Sequence, residues 1–140
     1  VGFVQYAALI DPYPWLVFKP TREIDMGQPV VHFEIGSRQG DKAKHFYGQL
    51  FGWNIESHGP ANMINTCSAE GIQGNIAVPD QEPKSYVTFY VQVDDINQSL
   101  AKVEKLGGKV LVPASDVPGM GQFAWFADLD GNAIGLWKSA

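Results

Sequence analysis

Apolar and polar residues alternate along two stretches of this chain, residues 30–35 and 86–93. Because successive side chains of a β-strand point to opposite faces, each stretch predicts a strand with one apolar and one polar face. The polar faces carry His32 and Glu34 in the first strand, and Thr88, Tyr90 and Gln92 in the second. We therefore expect any chemistry of these strands to lie on their polar faces.

Each of these strands is followed by a helical pattern, in which apolar residues recur at every third or fourth position. The helices are predicted at residues 41–51 and 95–106. Their predicted N-caps and glycine stops are Asp41 and Gly52 for the first helix, and Asp95 with Gly107 and Gly108 for the second. Since the apolar stripes can cover the apolar strand faces, we expect both helices on the side away from the polar residues.

The remaining pattern completes an internal repeat. Further strands are predicted at residues 53–56, 63–67, 71–78, 109–112, 122–128 and 133–137, with Asp130-Gly131 as a hairpin turn before the last. Each half then has the order βαβββ. We predict an α+β fold in which residues 26–140 form one domain of two tandem modules, residues 30–78 and 86–138, joined by a linker at 79–85.

Residues 1–25 precede Met26 and differ from the repeated part, since they hold three of the nine prolines and many large apolar residues. We interpret them as an N-terminal extension. It either docks on a neighbouring subunit or on the domain's own edge, or it is an upstream read-through or an expression scar.

Composition narrows the class of function. The net charge of −5 and the scattered basic residues argue against nucleic acid as a partner, because phosphate binding needs clustered Lys and Arg. No apolar run reaches the roughly 20 residues of a membrane-spanning helix, so we expect no membrane partner. The single cysteine, Cys67, excludes an intrachain disulfide and fits a reducing cytoplasm. We expect Cys67 to be a small core residue on a strand.

Five short segments occur in an order and at spacings that resemble the vicinal oxygen chelate superfamily. This superfamily includes glyoxalase I, extradiol dioxygenases, fosfomycin-resistance enzymes and bleomycin-resistance proteins. The segments are Val31-His32-Phe33-Glu34-Ile35, His45-Phe46-Tyr47 with Leu50-Phe51-Gly52-Trp53, Val91-Gln92-Val93-Asp94-Asp95, Lys105-Leu106-Gly107-Gly108 and Asp128-Leu129-Asp130-Gly131-Asn132. The resemblance covers residues 30–138 and is greatest to glyoxalase-related proteins of unassigned activity.

The resemblance implies that the two modules pair so that their curved mixed sheets enclose a cavity, with the helices outside, and that the protein is a homodimer. Metal enzymes of the superfamily place one ligand on the first and last strand of each module. In this sequence those positions fall on His32, Thr88, Gly135 and either Gln73 or Asn75. Of these, His32 is the one strong ligand for a divalent transition metal. We therefore expect no metal cofactor, although Glu34 and Glu70 could join His32 if the strand register were shifted.

The leading functional hypothesis is a metal-free protein that binds a small molecule in the cavity between the modules. The expected lining is His32, Glu34, Gln73, Thr88, Tyr90, Gln92 and Trp125, with Trp125 or Phe126 forming an aromatic wall according to which one faces inward. His32 and Glu34 are candidates for proton transfer, and the alternative for His32 is a structural hydrogen bond.

Two other hypotheses stay open at this point. One is a metal-dependent lyase, isomerase or dioxygenase of the glyoxalase type, built around His32. The other is a structural or assembly protein that uses the extension at residues 1–25.

Overall fold

The computed structural model describes residues 27–58 and 61–140, which form one eight-stranded sheet and two helices. The elements in chain order are β1 (Val30–Gly36), α1 (Gly40–Phe51), β2 (Asn54–His58), β3 (Ala61–Asn65), β4 (Gln73–Ala77), β5 (Tyr86–Gln92), α2 (Ile96–Lys105), β6 (Lys109–Val117), β7 (Gly121–Ala127) and β8 (Ala133–Ser139). The predicted α+β class and the twofold βαβββ order are confirmed. The extension predicted at residues 1–25 lies outside the described residues.

The two modules join edge to edge at the centre of the sheet. The strand order is β2-β3-β4-β1-β5-β8-β7-β6, so β1 and β5 are neighbours and pair antiparallel. Within each module the first and last strands pair parallel, β1 with β4 and β5 with β8. The sheet is curved and is not closed into a barrel.

The two faces of the sheet differ in chemistry, as the alternation predicts. We call the face that carries His32 and Glu34 the front face, and the opposite face, on which the helices pack, the back face. On the back face α2 buries Ile96 and Leu100 against Val93, Ala124 and Leu136, which form the core of the second module. Burial of these aliphatic side chains holds α2 firmly on the sheet.

Helix α1 packs less completely than α2. It lies over β2 and β4 and has no buried residue in the structure. Its apolar stripe is partly exposed, with 58% of Phe46 and 57% of Leu50 accessible to solvent. Among the described residues, the apolar side chains Val31, Phe33 and Ile35 of β1 are half-buried, so α1 covers the back of β1 only in part.

The structure confirms some of the predicted helix caps and not others. The Asp95 side chain accepts a hydrogen bond from the Gln98 backbone N–H at 3.0 Å, and Gly52 ends α1 with a positive φ of 71°. Asp41 is not an N-cap, because α1 begins one residue earlier and has Gln39 at that position. Asp41 instead lies in the first turn, where its charge complements the helix dipole.

One further expectation changed with the structure. Cys67 is exposed rather than buried, because β3 ends at Asn65 and the Asn65 side chain accepts the Cys67 backbone N–H at 2.9 Å, forming a turn. The segment after β6 is a tight hairpin, closed by a bond from the Met120 N–H to the Val117 carbonyl at 3.0 Å. In the described residues no helix has the length and apolarity needed to cross a bilayer.

Asp95→Ala should lower the free energy of unfolding by about 1 kcal/mol, because the N-cap bond to Gln98 is lost. Asp41→Ala is the matched control and should cost less, since that side chain makes only a dipole interaction. Urea denaturation of both variants measures the difference. Equal losses would show that the Asp95 bond does not stabilise α2.

Candidate functional site

A buried carboxylate lies at the junction of the two modules. Glu34 projects from the front face of β1 and is only 9% exposed. The Tyr86 hydroxyl donates to its Oε2 at 2.7 Å, and the Tyr90 hydroxyl donates to its Oε1 at 3.2 Å. A buried charge is costly unless it is hydrogen-bonded, and here each carboxylate oxygen has a donor.

The strand register explains why two tyrosines reach one carboxylate. Glu34 pairs directly with Thr88 across the β1–β5 junction. Tyr86 and Tyr90 stand two residues to either side of Thr88, on the same face of β5, and are diagonal neighbours of Glu34. The antiparallel pairing of the modules therefore creates the bonded cluster.

Two glycines make room for the tyrosine rings. Gly36 pairs with Tyr86, and a Cβ atom built at Gly36 would collide with the Tyr86 ring. In the same way, Gly135 of β8 pairs with Tyr90 and lies beneath its ring. Any larger residue at either glycine would push a tyrosine away from Glu34.

Trp125 extends the cluster into the second module. Its indole Nε1–H donates to the Tyr90 hydroxyl at 2.9 Å, across the intervening strand β8. The Trp125 ring also meets the Tyr86 ring edge-on, with centroids 5.2 Å apart. Of the two aromatic candidates, Trp125 therefore faces the front, while Phe126 packs against the core behind the sheet.

Both tyrosines stay protonated in this environment. Burial, reinforced by the hydrogen bond from its hydroxyl to Glu34, raises the pKa of Tyr86 well above its ordinary value. Burial and the nearby Glu34 charge likewise raise the pKa of Tyr90, and they outweigh the opposing effect of the Trp125 hydrogen bond. The two hydroxyls are therefore permanent donors at neutral pH.

His32 lies beside the cluster but is not bonded to it. Its Nε2 atom is 2.6 Å from the Oδ1 atom of Asn75, whose side chain is buried. The imidazole also meets the Tyr90 ring edge-on, with centroids 5.7 Å apart. Since the Asn75 Oδ1 atom can only accept, this contact fits the tautomer that carries its hydrogen on Nε2.

The other positions that the resemblance assigns to metal ligands are also engaged. The Thr88 hydroxyl donates to the Ala133 carbonyl at 2.7 Å, and the Gln73 Oε1 atom accepts the Thr66 backbone N–H at 2.6 Å. Gly135 has no side chain, and the Tyr90 ring fills the space where one would stand. Throughout residues 27–58 and 61–140, no three His, Cys, Asp or Glu side chains are grouped as a metal site requires. The residues present do not fit a divalent transition metal.

The sequence-predicted lining is brought together only in part. Glu34, Tyr90 and Trp125 form one network, with His32 at its edge. Gln73 is turned toward the loop after β3, and Gln92 is exposed at the end of β5. Tyr86 was missed, although its spacing of four residues from Tyr90 on an alternating strand places both on one face.

Comparison with known proteins shows the family to which this sequence is similar. Residues 30–136 match the sequence profile of the Glyoxalase/Bleomycin resistance protein/Dioxygenase superfamily. A putative glyoxylase, CFP32 of Mycobacterium tuberculosis, is 30% identical over 105 residues, which cover 69% of this chain and 40% of that protein. The anthracycline biosynthesis protein DnrV of Streptomyces peucetius is 30% identical over 124 residues, which cover 76% of this chain and 45% of that protein. The chain thus spans less than half the length of these two relatives.

A solved structure shows the same fold at low sequence identity. A glyoxalase/bleomycin resistance protein/dioxygenase superfamily member from Vibrio splendidus superposes with a TM-score of 0.58 at 14% identity. The match covers 81% of this chain and the whole of that chain. At this identity the likeness concerns the fold alone.

Gly135→Ala should lower the free energy of unfolding by about 1–3 kcal/mol, because the new methyl group displaces the Tyr90 ring. Gly27→Ala is the control, since a Cβ there meets nothing within 4 Å. Chemical denaturation compares the two variants. A loss at Gly135 no larger than at Gly27 would show that the ring and the glycine are not tightly packed.

Stability should fall as the pH rises above about 10, the ordinary pKa of tyrosine. In the folded protein Tyr86 has a raised pKa, so the unfolded chain releases its proton first and unfolding becomes easier with increasing pH. Below that pH the contribution is fully present. Urea midpoints at pH 8 and about pH 11 should therefore differ less for Tyr86→Phe than for the unmodified chain. An equal difference in both would contradict the raised pKa.

Proposed function

This chain belongs to the Glyoxalase/Bleomycin resistance protein/Dioxygenase superfamily, and we propose that it binds a small planar aromatic molecule on the front face without a metal ion. The observation that carries the proposal is the bonded cluster of Glu34, Tyr86, Tyr90 and Trp125. It provides fixed polar groups beside aromatic rings, which is the usual composition of a small-molecule site.

The engaged ligand positions support the metal-free part of the proposal. A metal at His32 would find no second strong ligand at Thr88 or Gly135, since the Thr88 hydroxyl donates to the Ala133 carbonyl and Gly135 has no side chain. Because binding at Thr88 would also break that hydrogen bond, chelation at these positions is unfavourable. Recognition then depends on hydrogen bonds and ring contacts.

The aromatic side chains define the class of ligand. Tyr86, Trp125 and His32 lie on the front face and are each half-buried, so part of each residue is accessible to solvent. A planar ligand can stack on these rings, while its hydroxyl groups donate to Glu34 or to the oxygen of the Tyr86 hydroxyl. The relative DnrV is described as an anthracycline biosynthesis protein, and anthracyclines are planar aromatic compounds with hydroxyl groups.

The roles of individual residues follow from their positions. Glu34 is the acceptor that orients the ligand, and its tyrosine partners keep it in place. His32 and the outer polar residues Gln73, Thr88 and Gln92 shape the surroundings. We place the protein in the cytoplasm, in keeping with its single, exposed cysteine.

Doxorubicin, a soluble anthracycline, is a suitable probe for calorimetric titration. We expect saturable binding at one site, weakened about tenfold in Glu34→Gln because the carboxylate acceptor is lost. Glu104→Gln on the exposed side of α2 is the matched control and should bind as the unmodified protein does. Absence of binding, or equal affinities in the three proteins, would overturn the proposal.

The metal content of untagged protein purified without chelators tests the rival chemistry. We expect less than about a tenth of an equivalent of Zn, Ni, Fe or Mn, because a transition-metal site needs about three protein ligands. A stoichiometric metal that His32→Ala removes would instead support a metal-dependent lyase, isomerase or dioxygenase. Native mass spectrometry of the same sample shows whether a small molecule is carried along.

A further inference from the structure

The buried carboxylate of Glu34 has no positively charged partner among the residues that the structure describes. Two ion pairs occur within residues 27–58 and 61–140, and neither includes this carboxylate. Its bonded partners are the hydroxyls of Tyr86 and Tyr90, which donate hydrogen bonds but add no positive charge. The front face therefore holds, at the junction of the modules, an acidic group that is oriented but not paired with a cation.

The strands around the cluster supply no Lys or Arg to the front face near Glu34. Lys138 of β8 belongs to the back face, because it alternates with Trp137 on the front. Lys109 pairs with a front-facing residue of β7, but it lies on the edge strand β6, four strands from β1 and thus about 19 Å away along the sheet. His32 is hydrogen-bonded to Asn75 instead. A cation that reaches Glu34 on these strands has to be brought by a ligand.

The aromatic rings beside Glu34 stand at steep angles to one another. The Tyr86 and Trp125 rings are inclined at 83°, and the Tyr90 and Trp125 rings at 70°, with centroids 5.2 and 6.3 Å apart. Rings set in this way form walls around a point rather than one flat stacking surface. Aromatic walls of this kind surround ammonium groups in proteins, where a cation lies within about 6 Å of a ring centre.

We infer that the small molecule bound on the front face is an organic cation, whose protonated amine lies against Glu34 while its aromatic part contacts the surrounding rings. The inference rests on the proposed function, because it names the charge of the same ligand. A neutral hydroxyl also donates to a carboxylate, but an ammonium group donates and balances the negative charge. Hydrogen bonds with ionised groups are about twice as strong as those between neutral groups.

Burial of Glu34 favours a cation further. Folding has already removed this carboxylate from water and fixed it with two hydrogen bonds, since the residue is only 9% exposed. On binding, the amine loses its own hydration but the carboxylate loses little more. Attraction between the two charges is also stronger here than on an open surface, because less water screens it. We therefore expect the charge of a ligand to discriminate between compounds that share one ring system.

Two probes with the same ring test this inference. The 2-naphthylmethylammonium ion carries a protonated amine at pH 7, and 2-naphthylmethanol carries a neutral hydroxyl at the same position. Calorimetric titration of the full chain should show that the ammonium ion binds about tenfold more tightly than the alcohol. This comparison needs no variant.

A pair of variants assigns the preference to one carboxylate. In Glu34→Gln the two probes should bind with affinities within about twofold of each other, because the negative charge is gone. Glu56→Gln is the matched control and should keep the full preference. Glu56 lies in the same row across the sheet, through Met63 and Asn75, but it is exposed and stands three strands from Glu34. Circular dichroism checks that both variants retain the fold.

The possible results separate this inference from the proposed function. Equal affinities of the two probes for the unmodified protein would overturn the cation inference and leave the aromatic site in place. A preference that survives in Glu34→Gln, or that disappears in Glu56→Gln, would also overturn it. Binding of neither probe would contradict it as well, and the doxorubicin titration then shows whether the proposed function fails with it.

Discussion

The arrangement of the front face depends on one buried carboxylate. Glu34 stands where the two modules meet, and it can be buried there because Tyr86 and Tyr90 donate to its two oxygens. The need to hydrogen-bond this carboxylate also determines which residues can stand around the two tyrosines. The two tyrosine rings need glycines beside them, at Gly36 and Gly135, and Trp125 completes the hydrogen bonding of Tyr90. These hydrogen bonds and packing contacts thus connect four strands, β1, β5, β8 and β7.

The same demands explain why the superfamily scaffold is present while its metal-ligand pattern is not. Gly135 stands at a position that the resemblance assigns to a ligand, and there it accommodates the Tyr90 ring. Thr88 stands at another such position, and its hydroxyl is bonded to the backbone of β8. The polar groups of this face are held in place by bonds to one another, while the carboxylate of Glu34 keeps lone pairs for a further donor. A face of this kind is suited to recognition through oriented hydrogen bonds and aromatic rings rather than through chelation.

The back face carries the residues that alternate with the polar residues of the front face. Each strand that offers a polar side chain to the front must offer its neighbours to the back, and on β1 and β5 these neighbours are apolar. Helix α2 covers its share of this surface by burying Ile96 and Leu100, whereas α1 buries none of its residues. The two modules are alike in order but unequal in packing, and among the described residues Val87 and Phe89 of β5 remain exposed on this face.

Sequence alone determined the element order and the faces of the strands, because alternation and helical spacing are local properties of the chain. It also placed Glu34, Tyr90 and Trp125 together, and the structure joins these three residues in one hydrogen-bonded network. It could not identify the partners of Glu34, since the register between β1 and β5 joins residues more than fifty positions apart. It likewise misjudged α1 and Cys67.

The tertiary structure decided which polar residues are free to act. Thr88 and Gln73 looked available in the sequence, but the fold directs them to backbone groups of neighbouring segments. The extent to which a helix covers a strand depends on tertiary packing. The hydrogen bond of the His32 Nε2 atom likewise depends on Asn75 in the neighbouring strand β4. The sequence by itself determined the scaffold because its signals act over a few residues, while the site was decided by contacts that exist only after the modules have paired.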